Sequence, residues 1–267
     1  MIFLRGASLI AWCLAFAANT ALAQAPGPVE GQPGKDVVWI PSPRDMVEKM
    51  LDMARVTPQD YVIDLGSGDG RTVIAAARRG ARALGVEYNP DLVAVSRRAA
   101  DAAGVSGKAT FVQGDMFEAG ISEATVLILF LLPDSLVRLA AKFRALTPGT
   151  RIVSNTYEIS GWYVDETAQT TPCRSWCVAH LYVVPVDVAG TWRLPDGELT
   201  LAQDLQVISG TFDVGGLSAQ IENGRVRGDE ISFTLSGIAY SARAHGDTME
   251  GVAKGRITRA WSAVRVP

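Results

Sequence analysis

Two hydrophobic periods alternate in this chain and then give way to one. Tyr61-Val62-Ile63, Ala83-Leu84-Gly85-Val86, Ala109 to Gln113, Ala124 to Phe130 and Thr150 to Ser154 are apolar runs too short for helices. Between them, apolar residues recur at helical spacing from Thr72, after Asn89-Pro90 (Leu92, Val93, Val95, Ala99, Ala102) and after Pro133. Strands alternating with helices at this spacing predict a parallel sheet with right-handed crossovers. The run from Ala124 to Phe130 is apolar throughout, so it belongs at the centre, covered on both faces. Two more strands, near Val164 to Thr170 and His180 to Val186, are expected to complete the sheet. Before the first strand, Met46, Val47, Met50, Leu51 and Ala54 share one helix face, with Ser42 predicted as N-cap and Pro43 as the first helical residue.

From Val188 the helical period disappears. Short alternating runs remain at Leu199 to Leu201, Leu205 to Ile208, Ile231 to Leu235, Ile238 to Arg243 and Ala260 to Arg265, separated by Gly-containing turns. They predict a small antiparallel β domain, as a meander, a sandwich or a half-barrel. The organisation expected is a leader over residues 1–23, a flexible Pro/Gly-rich segment over 24–36, an α/β domain over 37–187 and the β domain over 188–267.

The chemistry concentrates after the first strand, in Asp64-Leu65-Gly66-Ser67-Gly68-Asp69-Gly70-Arg71. Alternating glycines there allow positive φ and let a ligand approach the backbone closely. The loop lacks the Lys-Ser/Thr of a phosphate-cradling P-loop, and Arg71 stands where the dinucleotide fingerprint needs glycine. Ligands of parallel sheets sit beyond the carboxyl ends of the strands, where Asp64, Glu87, Asp115 and Phe130 all fall.

Together with the acid Glu87 closing the second strand, the loop resembles that of class I S-adenosylmethionine-dependent methyltransferases. Over residues 37 to 160 the likeness extends to W-I-P-S-P, D-L-G-S-G-D-G-R, G-V-E-Y-N-P, L-F-L-L-P and P-G-T-R-I-V-S. These look like the ATP-synthase c-subunit lysine methyltransferases and their prokaryotic relatives. The resemblance implies a Rossmann-like fold and S-adenosyl-L-methionine as cofactor. Gly66, Ser67, Gly68 and Gly70 would pass along it, with Asp64 ordering the loop and Glu87 holding the ribose hydroxyls. Asp115 would take the adenine amino group between Met116 and Phe117, and Ser42 is a further contact. It also implies methyl transfer to an amine, protein lysine above all. Phe130 and Tyr157 are the candidates at the catalytic position, and with Trp162 they could wall an amine channel, although aromatics at such places are commonly core. Phe130 and Asn155 depart from the family pattern, which has Tyr and His there. A methyltransferase-like binding module without turnover, or transfer to a small molecule, are the alternatives.

Composition fits a globular chain, 48% hydrophobic and 20% charged, and the net charge of −3 offers no footprint for nucleic acid. The start changes the picture. Arg5, the apolar run Leu9 to Ala18 and Ala21-Leu22-Ala23 read as a secretory signal cleaved after Ala23, too short for a spanning helix. The mature chain is then expected to begin at Gln24, periplasmic or secreted and not inserted in the membrane. Cys13 leaves with that segment, and Cys173 and Cys177 form either a disulfide or two thiols. No metal site is expected, since only His180 and His245 accompany the cysteines.

Overall fold

The computed structural model describes residues 29–35 and 38–267, so the predicted leader and the start of the flexible segment lie outside the described residues. A seven-stranded sheet in the order β3-β2-β1-β4-β5-β7-β6 forms the first domain. Its strands are β1 (Tyr61–Leu65), β2 (Arg82–Glu87), β3 (Ala109–Gln113), β4 (Val126–Leu129), β5 (Arg151–Asn155), β6 (Glu166–Gln169) and β7 (Val178–Val183). The first five run parallel; β7 is antiparallel to β5, and β6 to β7. All four residues of β4 are buried, as befits the centre of a sheet covered on both faces.

Helices α1 (Arg44–Met53), α2 (Arg71–Arg78), α3 (Pro90–Ala102) and α4 (Pro133–Arg144) join and cover the strands. The face of α1 carrying Met46, Val47, Met50 and Leu51 packs with α2, α3 and one face of the sheet. Leu136, Leu139 and Phe143 of α4 cover the other face, together with Trp162 and Tyr182. Each such side chain contributes roughly 1.5–3 kcal/mol by leaving water. At the amino-terminal edge of the sheet, Arg151 pairs with Asp60, which also accepts from Thr57 N at 2.7 Å and Thr125 Oγ1 at 2.7 Å. This knot ties the segment after α1 to β1, β4 and β5.

Ser42 is not the N-cap. Pro43 occupies that position, no side chain caps α1, and the helix begins at Arg44. The reason is tertiary: the Ser42 carbonyl accepts from Arg71 Nη1 at 2.9 Å and its hydroxyl meets Asn155 Nδ2 at 3.2 Å.

The second domain is a closed eight-stranded antiparallel barrel. It comprises β8 (Gly190–Leu194), β9 (Gly197–Asp204), β10 (Val207–Val214), β11 (Leu217–Arg227), β12 (Glu230–Leu235), β13 (Ile238–His245), β14 (Thr248–Lys254) and β15 (Thr258–Arg265). Neighbours in sequence pair throughout, and β15 closes on β8. Strands β8, β11 and β14 are additional to those expected, and the run Leu205 to Ile208 straddles the β9–β10 turn, where Leu205 has φ 51°. The missing signal has a physical cause: β14 contains Gly251 in mid-strand, where a Cβ would lie 1.9 Å from the Ser241 carbonyl oxygen. Glycine there marks the close approach of a curved wall and not a turn. Trp192, Leu199, Phe233 and Met249 help fill the interior.

The barrel docks where β5 begins and β7 ends. Val186 N donates to Gly228 O at 2.8 Å, Gln206 Nε2 donates to Tyr163 O at 2.9 Å, and Arg225 lies 4.3 Å over the Tyr163 ring. That edge is opposite the carboxyl ends of β1 to β5, so the barrel does not wall the crevice. Among the described residues, no helix is long and apolar enough to cross a membrane.

Candidate active site

At the carboxyl ends of the parallel strands lies a crevice in two hollows that share Trp39, Ile40, Gly66 and Phe130. The larger, about 740 Å³ out to its mouth, is bordered by Glu87, Asp115 and Met116 and also by Lys35, Asn89 and Leu131. The smaller, about 370 Å³, reaches Ser42, Asp64, Ser67, Gly68, Asp69 and Arg71.

The loop after β1 is held from several sides. Gly66 N and Ser67 N both donate to Val86 O, at 2.8 and 3.1 Å. Gly68 N donates to Glu87 Oε2 at 2.9 Å, and Glu87 Oε1 accepts from Asn89 N at 2.8 Å. The buried Ser96 hydroxyl donates to Gly68 O at 2.9 Å. Glu87 therefore fixes the loop through one lone pair of each oxygen and keeps the others for a ligand. Gly68 has φ 55°, and a Cβ on it would lie 2.3 Å from Trp39 Nε1, so the indole rests directly on the loop.

The remaining predicted residues divide. Gly70, at φ 78°, does not border the hollows; it starts α2 and abuts Phe111 and Ser96, where a Cβ would sit at 2.6 and 2.8 Å. The Ser67 hydroxyl is buried towards Gly85, so it faces inward. Asp115 pairs with Lys35 Nζ at 2.5 Å and accepts from Phe117 N at 2.9 Å; the ammonium first, and then that N–H, hold its carboxyl below the usual range. Met116 borders the larger hollow, whereas Phe117 does not, its ring lying 3.4 Å beneath the Arg138 guanidinium. Trp162 is core, 5% exposed and edge-on to Tyr182, and Tyr157 packs on the same cluster. Neither borders the crevice, because the chain after β5 turns at once back into the fold. Phe130 borders both hollows.

Trp39, Lys35 and the Asp69–Arg71 pair border the crevice without having been singled out from the sequence. The pair is closed by Arg71 Nη2 to Asp69 Oδ2 at 2.6 Å and Nε to Oδ1 at 2.9 Å. Only the W-I-P-S-P and D-G-R motifs carry a signal for Trp39 and for the pair.

Asp64 is the most perturbed group. Burial first, opposed by a Thr72 hydrogen bond and then reinforced by the charges of Glu87 and Asp69, pushes its pKa up to about 7. Arg71 balances Asp69 and Lys35 balances Asp115, so the crevice keeps the acidity of Glu87 and Asp64 and favours a ligand carrying positive charge and hydroxyl or amino donors. S-adenosylmethionine has that character: a sulfonium, an ammonium, a ribose diol and an adenine amino group.

Residues 64–166 match the ANTKMT methyltransferase domain. The chain is 39% identical over 151 residues to a protein-lysine N-methyltransferase of Saccharolobus islandicus, covering 55% of this chain and 94% of that protein. It is 34% identical over 128 residues to the human lysine N-methyltransferase of the ATP synthase c-subunit, covering 48% of this chain and 54% of that protein, so it spans about half of that relative. A solved structure titled an RNA methyltransferase from Salinibacter ruber, in complex with S-adenosyl-L-homocysteine, superposes with a TM-score of 0.53 at 42% identity, over 56% of this chain and 96% of that one.

Proposed function

The chain belongs to the class I S-adenosylmethionine-dependent methyltransferases, in the family of the ANTKMT domain and the protein-lysine N-methyltransferases, and from this premise we propose that its acceptor is a lysine amine of a protein. The observation that carries the reading is the single crevice formed by the glycine loop, Glu87 and Asp115 at the ends of three neighbouring strands. Glu87 accepts from the ribose diol, Asp115 and Met116 receive the adenine in the larger hollow, and Gly66 to Gly68 with Asp64 border the amino-acid portion in the smaller.

When bound, the cofactor supplies a methyl group on a sulfonium, open to in-line displacement by a neutral amine. The chain's contribution is mainly alignment and exclusion of water. Phe130, shared by both hollows, walls the point where acceptor and cofactor meet, and Ser42, held by Asn155, borders the same region. The attacking nitrogen loses its proton to water or to a group of the substrate.

Calorimetric titration with S-adenosylhomocysteine should show binding that Glu87→Ala weakens by about 1–3 kcal/mol, the worth of hydrogen bonds to a charged group. Labelled methyl should then pass to lysine-containing protein and not to RNA. Label on RNA alone would refute the lysine acceptor, and unchanged affinity in Glu87→Ala would refute the ribose assignment.

Export is a second part of the proposal. The charged start, apolar run and Ala-Leu-Ala of the first 23 residues support it, as does the Cys173–Cys177 disulfide, a bond that persists in oxidising compartments. Mass spectrometry of fractionated cells should find the chain beginning at Gln24 outside the cytoplasm; an intact chain within the cytoplasm would refute export.

A further inference from the structure

The segment between β6 and β7 stands at the crevice end of the sheet, because β6 ends and β7 begins there. Thr170 N donates to Cys177 O at 3.0 Å, Cys173 and Cys177 are joined, and Thr156 N after β5 donates to Val178 O at 2.7 Å. Within the clip, Trp176 has φ 58°, a conformation a bulky side chain adopts only when its surroundings impose it. The result of that backbone is a contact: the half-exposed indole lies 5.4 Å from the Phe130 ring, tilted by 57°. Phe130 borders both hollows, so an aromatic surface runs from the crevice onto the clipped loop.

We propose that Trp176, held against Phe130 by the Cys173–Cys177 bond, is the outer wall of the acceptor entrance, and that the redox state of this disulfide sets acceptor affinity. The proposal rests on the lysine reading above. A tilted aromatic pair offers a ring face to an arriving ammonium and apolar surface to the four-carbon stem behind it. Reduction by dithiothreitol adds two electrons and two protons to give two thiols and the cyclic oxidised reagent. The clip is then open, and nothing covalent holds Trp176 in its left-handed conformation. Trp176 is a positioning residue for the acceptor and makes no contact with the cofactor hollows.

The test uses the full chain, acetyl-Gly-Lys-Gly amide as acceptor and calorimetry with S-adenosylhomocysteine in parallel. Trp176→Ala should raise the acceptor KM on the order of ten-fold with little change in kcat, and Trp176→Phe should recover most of it. Dithiothreitol should raise the KM of the parent protein likewise and have no effect on C173S/C177S, whose KM is already high. S-adenosylhomocysteine affinity should stay constant throughout, showing that the fold and cofactor site are intact. An unchanged KM in Trp176→Ala, or a KM indifferent to reduction, overturns the proposal. A parent protein that binds S-adenosylhomocysteine but methylates no lysine probe overturns the lysine reading, and the aromatic wall falls with it.

Discussion

Replacing Asp64 by Asn should stabilise the cofactor-free protein, and by more at pH 8 than at pH 5. In the folded chain the Asp64 carboxyl has a pKa of about 7 against 3.8 for an unperturbed carboxyl, because it is buried and because Glu87 and Asp69 add their charges. Between these values the folded chain holds a proton that the unfolded chain has released, so stability falls as pH rises through this window and levels off above pH 7. A shift of about three units corresponds to ~4 kcal/mol at most. Asn keeps the carbonyl that can accept from Thr72 and carries no charge, so most of that cost should vanish at pH 8. Urea unfolding of both proteins at pH 5 and pH 8 checks this: the parent should lose stability between the two, and Asp64→Asn should lose about 2–3 kcal/mol less, because only about two of the three units lie above pH 5. Equal pH dependence in the two proteins would refute the argument. Since the ammonium that S-adenosylhomocysteine shares with the cofactor favours the ionised acid, the same variant should bind it more weakly at pH 8.

Gly70→Ala should destabilise the first domain by about 1–3 kcal/mol in urea unfolding, from the positive φ together with the clash against Phe111 and Ser96. An alanine tolerated without loss would mean that the turn into α2 relaxes easily. Met249→Ala, at a fully buried position of the barrel, should cost about 2–5 kcal/mol in barrel unfolding while S-adenosylhomocysteine affinity stays the same. Weakened affinity would contradict the placement of the barrel at the edge of the sheet away from the crevice.

The α/β alternation, the central position of β4 and the strand-end acids were legible in the sequence by itself, because strand period, helix period and glycine loops are local properties. The family resemblance rested on contiguous motifs for the same reason. What a residue's neighbours across the fold decide was not legible. Ser42 has the chemistry of a helix cap, yet Arg71 and Asn155, distant in sequence, engage it instead. Trp162 reads as a channel wall and is core, because Tyr182 and α4 lie where the chain turns after β5. The closure of the barrel depends on mid-strand glycines such as Gly251, whose local pattern is that of a turn and whose reason is the carbonyl of the neighbouring strand. Phe130 and Trp176 illustrate the division most plainly: Phe130 stands out in the sequence as a strand-end candidate and Trp176 does not, and only the antiparallel return of β7 beside β5 and the Cys173–Cys177 clip bring the two rings together. Local patterning determines which elements form, whereas packing between elements decides which side chains share a surface.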